Sequence, residues 1–199
     1  IGHLRAAWEA SEALDAEVRI VPAKIPPHRP QPVASAAQRA AMLRAALAGQ
    51  QRLQLDLREL EREGPSYTFD TLASLRAEIG GERPLVLLIG ADAFAGLSTW
   101  HRWPELFELA HVCVLTRPAQ IPGMPDALAA EVAARKTENL ADLCAAAGGR
   151  VLDMVVSALG ISATRIRALL AEGRAPRWLV PQALIDDAAL LAPYRRAEP

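Results

Sequence analysis

Residues 85–92 have the sequence LVLLIGAD and indicate a buried strand followed by a turn. Five apolar residues in a row are typical of a strand buried on both faces, as strands are in a parallel sheet covered by helices. Gly90, Ala91 and Asp92 follow at the carboxyl end of this strand. Ligands of parallel α/β sheets bind beyond the carboxyl ends of the strands. The stretch therefore predicts a parallel α/β fold with a ligand site at the carboxyl edge of its sheet.

Strand and helix patterns alternate on both sides of this stretch. Further strand patterns occupy residues 18–21, 53–57, 112–116 and 151–156. Helix patterns occupy residues 3–14, 35–49 with Ser35 as cap and Gly49 at the end, 66–79 with Ser66 or Thr68 as cap, 104–110, 162–170 and 179–191. Residues 118–149 indicate a Pro/Gly loop followed by one or two Ala-rich helices. The alternation predicts an α/β domain over residues 1–199 with a mostly parallel sheet, whose C-terminal part, 160–199, is helical.

Composition narrows the classes of function. The chain has 199 residues, 51% of them hydrophobic, which is enough for a sizeable core. Its formal net charge of −1 argues against electrostatic binding to nucleic acid or to a membrane surface. The longest apolar runs have strand length, and no signal peptide is visible. Cys113 and Cys144 lack metal-ligand spacing and are predicted to be reduced, buried residues of a cytoplasmic protein. A homo-oligomer is left open.

Residues 161–167, ISATRIR, suit a phosphate. Ser162 and Thr164 open an apolar-periodic helix, whose first turn carries free N–H groups and partial positive charge. Arg165 and Arg167 add guanidinium groups that match phosphate oxygens. The alternative is an ordinary serine cap followed by two solvated arginines.

Four other groups of residues follow strand ends or open helices. They are Gly2-His3, the loop 24–29 (KIPPHR), the segment 65–68 (PSYT), and Gly90-Ala91-Asp92 with 99–103 (TWHRW). A tryptophan near a loop glycine and an aspartate could stack a flat ring while the aspartate accepts a ribose hydroxyl. A surface histidine, a solvated loop, a capped helix and core tryptophans are the plainer alternatives. No Ser-His-Asp set, metal cage or Walker loop is present.

Seven segments, in order, carry a resemblance to a known family. IGHLR, KIPPHR, QRAAML, PSYTFDTL, LIGADAF, TWHRW and ISATRIRALL resemble the motifs of bacterial nicotinate-nucleotide adenylyltransferases. Gly2-His3 resembles the tail of the HxGH signature of nucleotidyltransferases, and residues 161–167 resemble ISSTxxR with Ala163 in place of the second serine. The resemblance implies a Rossmann-like, doubly wound nucleotidyltransferase fold.

The resemblance also implies roles for individual residues. His3 and Arg167 would be catalytic, stabilising charge on the ATP phosphates. The residues expected to bind ATP are Gly2, His3, Ile161, Ser162, Thr164, Arg165 and Arg167. The residues expected to bind the mononucleotide are Lys24, Pro27, His28, Arg29, Ser66, Tyr67, Thr68, Gly90, Asp92 and Trp100. Trp100 would stack on the pyridine ring, and Asp92 would bind near the ribose.

The implied reaction is the transfer of an adenylyl group from ATP to nicotinate mononucleotide, giving deamido-NAD and pyrophosphate in NAD biosynthesis. Mg²⁺ would be carried mainly by the ATP phosphates, with no metal site on the protein. The family's first strand, its Gly-rich turn and the first histidine of HxGH are expected to precede Ile1.

The alternative functions are two other adenylyltransferase activities and two roles without catalysis. Nicotinamide mononucleotide adenylyltransferase and phosphopantetheine adenylyltransferase are the nearest enzymes, but the Pro-Pro-His-Arg loop and the Ser-Tyr-Thr segment favour a nicotinate substrate. A nucleotide-binding module without catalysis and a Rossmann-like interaction protein are the alternatives from other classes.

Overall fold

The computed structural model describes residues 1–27, 31–117 and 124–195. The chain divides into two compact units. The first unit comprises Ile1–Pro65 and Leu159–Pro199, and the second comprises Ser66–Ala158. Among the described residues, no helix is both long and apolar enough to cross a membrane.

The first unit begins with two helix–strand pairs and a short helix. Its elements are α1 Gly2–Leu14, β1 Val18–Ile20, α2 Ala36–Leu47, β2 Leu53–Leu55 and α3 Arg58–Glu61. The two strands are parallel, with Val18 opposite Leu53. Ala7, Leu47 and Leu53 form a small core over these strands. The helices and strands predicted for residues 3–57 are confirmed, with strands shorter than their patterns.

Helix α2 shows how local sequence sets these boundaries. The Ser35 hydroxyl accepts a hydrogen bond from the Gln38 N–H at 3.2 Å, and the Ser35 N–H donates to the Gln38 side chain at 2.8 Å. This reciprocal pair is a capping box, which satisfies two N–H groups at the helix start. Gly49, just beyond the helix, has a φ of +76°, a conformation that glycine adopts without strain. The predicted cap and the predicted end are both confirmed.

The C-terminal part of the first unit is helical but interrupted. It contains α9 Ala163–Ala171, α10 Gln182–Asp186, α11 Ala188–Leu191 and the 3-10 turn Ala192–Tyr194. The helical pattern predicted over 179–191 is divided into two short helices: α10 begins after Pro181, and α11 begins at Ala188, capped by the Asp187 side chain. Leu170, Leu184 and Leu191 pack together, with Met42 of α2 against them. This packing anchors α9 on α2.

The second unit is built around a four-stranded sheet. Its elements are α4 Thr68–Ile79, β3 Val86–Gly90, α5 Ala91–Ala95, the 3-10 turns Leu97–Thr99 and Trp103–Glu105, α6 Leu106–Leu109, β4 His111–Thr116, α7 Asp126–Arg135, β5 Lys136–Thr137, α8 Ala141–Cys144 and β6 Val151–Val155. All neighbouring strands are parallel, in the order β3-β4-β6-β5. The predicted α/β class with a parallel sheet is therefore confirmed.

Two details of this sheet correct the sequence analysis. Residues 85–89 were expected to be buried on both faces, yet only Ile89 is fully buried, because β3 lies at the edge of this sheet. The first four residues of β4, which lies between β3 and β6, are the fully buried run. The two-residue strand β5 was not predicted, because two residues are too few to show a period.

His111 and Arg76 hold together the segment that leads into β6. The buried His111 ring lies 2.8 Å from the Ala146 carbonyl through Nε2, and its Nδ1 accepts the Arg150 N–H at 3.0 Å. The Arg76 guanidinium donates to the carbonyls of Leu109 and Ala147. Through these bonds, helix α4 and strand β4 are both joined to residues 146–150.

The two cysteines lie in different environments. Both are free thiols, as predicted. Cys113 is buried in β4, and burial raises the pKa of its thiol to about 12. Cys144 was predicted to be buried but is exposed, because it ends the short helix α8 and Leu143 is the buried residue of that turn.

Candidate active site

The motif ISATRIR forms a capped helix start. Helix α9 begins at Ala163, and the Oγ of Ser162 accepts a hydrogen bond from the Arg165 N–H at 3.1 Å. Ser162 and Thr164 are both exposed. The remaining N–H groups of the first turn have no partner within the helix. The predicted cap is confirmed, and the turn presents hydroxyl and N–H groups at the surface of the first unit.

The start of α1 lies beside this motif. A Cβ built on Gly2 would lie 3.9 Å from the Cβ of Ile161 and 4.0 Å from its carbonyl oxygen. The structure thus brings Gly2 together with Ile161, from opposite ends of the sequence. His3 follows Gly2 in the first turn of α1 and is exposed.

The electrostatics of these helix starts favour an anion. Neither α1 nor α9 has an acidic residue in its first turn, so no carboxylate offsets the partial positive charge there. The Nε of Arg167 donates to the Ala163 carbonyl at 3.2 Å, which directs this side chain back toward the start of α9. Within the described parts of the chain, neither Arg165 nor Arg167 forms an ion pair with a carboxylate, and both are exposed.

The loop that follows β1 is held by side chains from elsewhere in the first unit. The Nζ of Lys24 donates to the Arg62 carbonyl at 2.9 Å. Arg39 of α2 donates from Nη1 to the Ala23 carbonyl at 2.6 Å and from Nη2 to the Lys24 carbonyl at 3.4 Å. Pro27 is exposed and ends the described part of the loop, whereas His28 and Arg29 lie outside the described residues.

Arg39 is a residue that the sequence analysis did not single out. It lies in the quoted segment QRAAML, which indicated only a helix. Because its partners are backbone carbonyls, no residue pairing in the sequence could have revealed the contact. Its position on a capped helix gives the loop a rigid support.

In the second unit, the segment PSYT opens α4 in an unexpected way. The N-cap position belongs to Tyr67, whose side chain makes no capping bond. The prediction that Ser66 or Thr68 caps this helix is therefore wrong: Ser66 lies one residue too early and is buried, and Thr68 is already the first helical residue. Tyr67 and Thr68 are half-buried at the helix start.

The segment after β3 places the other predicted mononucleotide residues. Strand β3 ends at Gly90, and Asp92 is exposed in the first turn of α5. Trp100 follows the 3-10 turn Leu97–Thr99, and its backbone N–H donates to the Leu97 carbonyl at 2.9 Å. The indole of Trp100 is half-buried and packs against the main core of this unit. Part of the ring is therefore supported while part remains accessible.

A group of four side chains joins the start of α4 to the residues that follow Trp100. We call Tyr67, Phe69, His101 and Arg102 the ring cluster. The His101 and Tyr67 rings are 4.4 Å apart between centroids, with an angle of 31° between their planes. The Arg102 guanidinium carbon lies 3.5 Å from the Phe69 ring centroid. The sequence analysis quoted the segment TWHRW but did not assign a role to His101, because a contact between residues 34 positions apart leaves no local pattern.

Comparisons with known proteins bear on this arrangement. A family model described as cytidylyltransferase-like matches residues 1–169. A protein of Pseudomonas paraeruginosa, named "Probable nicotinate-nucleotide adenylyltransferase", is 49% identical over 94% of this chain and 87% of its own length. A protein of Halorhodospira halophila with the same name is 49% identical over 92% of this chain and 84% of its own.

The chain belongs to the nicotinate-nucleotide adenylyltransferase family. A solved structure agrees at the level of the fold: Plasmodium falciparum nicotinic acid mononucleotide adenylyltransferase complexed with NaAD matches with a TM-score of 0.58 and 12% identity, over 90% of this chain and 88% of that one. The family, the fold class and the enzyme class predicted from the seven motifs are confirmed.

Among the described residues, 1–27, 31–117 and 124–195, no three His, Cys, Asp or Glu side chains are placed so that they could hold a metal ion together.

Proposed function

We propose that this chain transfers the adenylyl group of ATP to nicotinate mononucleotide, forming deamido-NAD and pyrophosphate. The observation that carries the proposal is its membership of the family, at 49% identity over nearly the whole chain. Support comes from the positions of Gly2 and Ser162 at helix starts and of Gly90 at a strand end, since parallel α/β proteins bind ligands at such places.

The residues proposed for ATP lie in the first unit. The helix starts at Gly2 and Ser162 offer N–H groups and a hydroxyl, with no carboxylate in either first turn. Arg165 and Arg167 supply charge that no described carboxylate neutralises. His3 and Arg167 are proposed as the catalytic residues. The proposed ATP-binding set is Gly2, His3, Ile161, Ser162, Thr164, Arg165 and Arg167.

Two groups of residues are proposed for the mononucleotide. In the first unit they are Lys24, Pro27, His28 and Arg29. In the second unit they are Ser66, Tyr67, Thr68, Gly90, Asp92 and Trp100. Trp100 suits a flat pyridine ring because its indole is supported by the core and partly open, and the exposed Asp92 carboxylate suits a ribose hydroxyl.

The reaction requires the protein mainly to position the two substrates and to stabilise negative charge on the phosphates. An oxygen of the mononucleotide 5′-phosphate attacks the α-phosphorus of ATP, the bond to the bridging oxygen breaks, and pyrophosphate leaves with that electron pair. With a second pKa of about 6, the attacking phosphate is mostly ionised at neutral pH and needs no general base. Holding the two reactants in line can supply roughly 7–11 kcal/mol. Guanidinium and N–H groups stabilise the charge that develops on the leaving pyrophosphate.

A magnesium ion fits this scheme as a ligand of the triphosphate. Mg²⁺ prefers oxygen ligands and keeps several waters, so it can be bound mainly by substrate phosphates. When bound, the ion would neutralise phosphate charge. The arginines of α9 would hold the same phosphates from the protein side.

The test is an assay of pyrophosphate release with ATP and three acceptors in turn. We expect release with nicotinate mononucleotide at a kcat/KM well above that with nicotinamide mononucleotide, and none with phosphopantetheine. A preference for the amide or for phosphopantetheine would replace the proposed substrate. Binding of ATP in a calorimeter without any release would indicate a silent nucleotide-binding module, and no binding of either nucleotide would favour an interaction protein.

A further inference from the structure

The ring cluster contains a tilted stack of two rings, Tyr67 and His101, and the proposed mechanism gives His101 no role. The His101 ring lies over the Tyr67 ring at 4.4 Å and meets the Phe69 ring edge-on, at 6.5 Å and 84°. Both arrangements are among those that aromatic pairs favour. Tyr67 and Phe69 flank the first residue of α4, so His101 contacts the start of that helix from the residue next to Trp100.

Arg102 makes a second contact between the start of α4 and the residues that follow Trp100. Its guanidinium covers the Phe69 ring at 3.5 Å and pairs with the carboxylate of Glu105. Its backbone has φ 54° and ψ 38°, a left-handed conformation that is uncommon outside glycine. A conformation of this kind persists when surrounding contacts hold it. The turn that carries Trp100 is thus tied to the start of α4 through His101 and Arg102.

The contacts of His101 are made by the face and edge of its ring. Its side chain is exposed, and in the described parts of the chain neither ring nitrogen takes part in a hydrogen bond. Burial in the core therefore does not account for its placement. What the imidazole does in this structure is cover one face of the Tyr67 ring.

We propose that His101 is a positioning residue for the mononucleotide, acting by stacking on Tyr67 and so fixing the ring of Tyr67 beside the turn that carries Trp100. The inference rests on the proposed function, in which Tyr67 and Trp100 contact the pyridine ring. It assigns no contact with substrate to His101. A stack needs a flat ring and no nitrogen, so phenylalanine should replace histidine at this position.

The test compares His101→Ala with His101→Phe in steady-state kinetics. For His101→Ala we expect a KM for nicotinate mononucleotide raised about three- to tenfold, the range that one aromatic pair is worth. The KM for ATP should stay within about twofold, because loss of one pair leaves the ATP residues untouched. His101→Phe should restore the parent value. An unchanged KM in His101→Ala, an equal rise for both substrates, or a failure of phenylalanine to restore would each overturn the proposal.

A double-mutant cycle with Tyr67→Leu separates this idea from a general loss of structure. If His101 acts through Tyr67, His101→Ala should have no further effect on the mononucleotide KM once Tyr67 is leucine. A full additional effect would contradict the proposal. An inactive parent chain would instead defeat the proposed function; the cycle measured on the midpoint of thermal unfolding would then still report whether the two rings interact.

Discussion

Gly2 lies beside Ile161, with 3.9 Å between the Cβ of Ile161 and the position that a Cβ on Gly2 would take. The start of α1 is thus near the residue before the cap of α9, so the two helix starts proposed for ATP share one part of the first unit. A methyl group at Gly2 would therefore be at ordinary van der Waals distance from Ile161, and we expect a longer side chain to crowd it.

The effect of a substitution at Gly2 should therefore depend on the size of the side chain. Gly2→Ala should keep the KM for ATP close to the parent value. Gly2→Leu should push the start of α1 from Ile161 and lower kcat/KM about tenfold or more, since small misplacements of reactants are costly. Steady-state kinetics with varied ATP measures both. Equal kinetics for the alanine and leucine variants would mean that this contact does not matter for ATP.

Ser162 is expected to have two roles that different substitutions separate. Ser162→Ala removes the acceptor for the Arg165 N–H and should cost about 1 kcal/mol in the free energy of unfolding. Ser162→Asp keeps a good cap but places a negative charge near the triphosphate. We expect the aspartate variant to be as stable as the parent and to have the higher KM for ATP of the two. Tighter ATP binding by the aspartate variant would contradict a phosphate at this helix start.

The two arginines of α9 should differ in importance. Arg167 is directed toward the helix start by its bond to the Ala163 carbonyl, and a hydrogen bond to a charged group is worth about 1.5–3 kcal/mol. Arg167→Met should therefore lower kcat/KM by about 10- to 100-fold. Arg165→Met serves as the matched control, with a smaller expected loss. A larger loss at Arg165 would reverse the assignment.

Acid should weaken the folded chain through His111. Burial lowers the pKa of this imidazole from its ordinary value of 6.5, with help from the nearby Arg150 and Arg76. The unfolded chain therefore takes up the proton first, so the stability that His111 contributes is present above pH 6.5 and is lost as the pH falls below that value. Thermal unfolding between pH 7.5 and 5.5 measures this loss. His111→Gln, which keeps a donor for the Ala146 carbonyl, should show a smaller decline with acid; an identical decline would remove His111 as the cause.

Gly148 is required by the close approach of two backbone segments. A Cβ at this position would lie 2.9 Å from the Ala110 nitrogen, closer than van der Waals contact allows. Gly148→Ala should destabilise the chain by about 1–3 kcal/mol, as overpacking does. Gly81→Ala is the control, because a Cβ there meets nothing within 4 Å. Denaturant unfolding of both variants decides the point, and equal midpoints would show that the Ala110 backbone moves aside freely.

What the sequence could predict was local. Ser35 with Gln38, Gly49, and Ser162 each act within a few residues, so their roles as caps and stops are visible in the pattern. The parallel sheet followed from alternating patterns. The motifs also indicated the family, since seven short segments in a fixed order rarely occur together by chance.

What the sequence could not predict depends on contacts between distant residues. Edge or interior position in a sheet depends on strand order, so the partial exposure of β3 was missed. Arg39 bonds to backbone carbonyls, and His101 stacks on a ring far away in sequence; neither contact leaves a period or a spacing. At α4, Tyr67 occupies the cap position although serine and threonine stand beside it, because the helix boundary is set by packing as well as by capping preference.

Labelled ATP shows whether the mononucleotide phosphate attacks the α-phosphorus of ATP. With ATP labelled at the α-phosphorus, we expect the label in deamido-NAD, and with ATP labelled at the γ-phosphorus we expect it in pyrophosphate. Transfer of the γ label to the mononucleotide, or release of pyrophosphate without a labelled dinucleotide, would contradict the account.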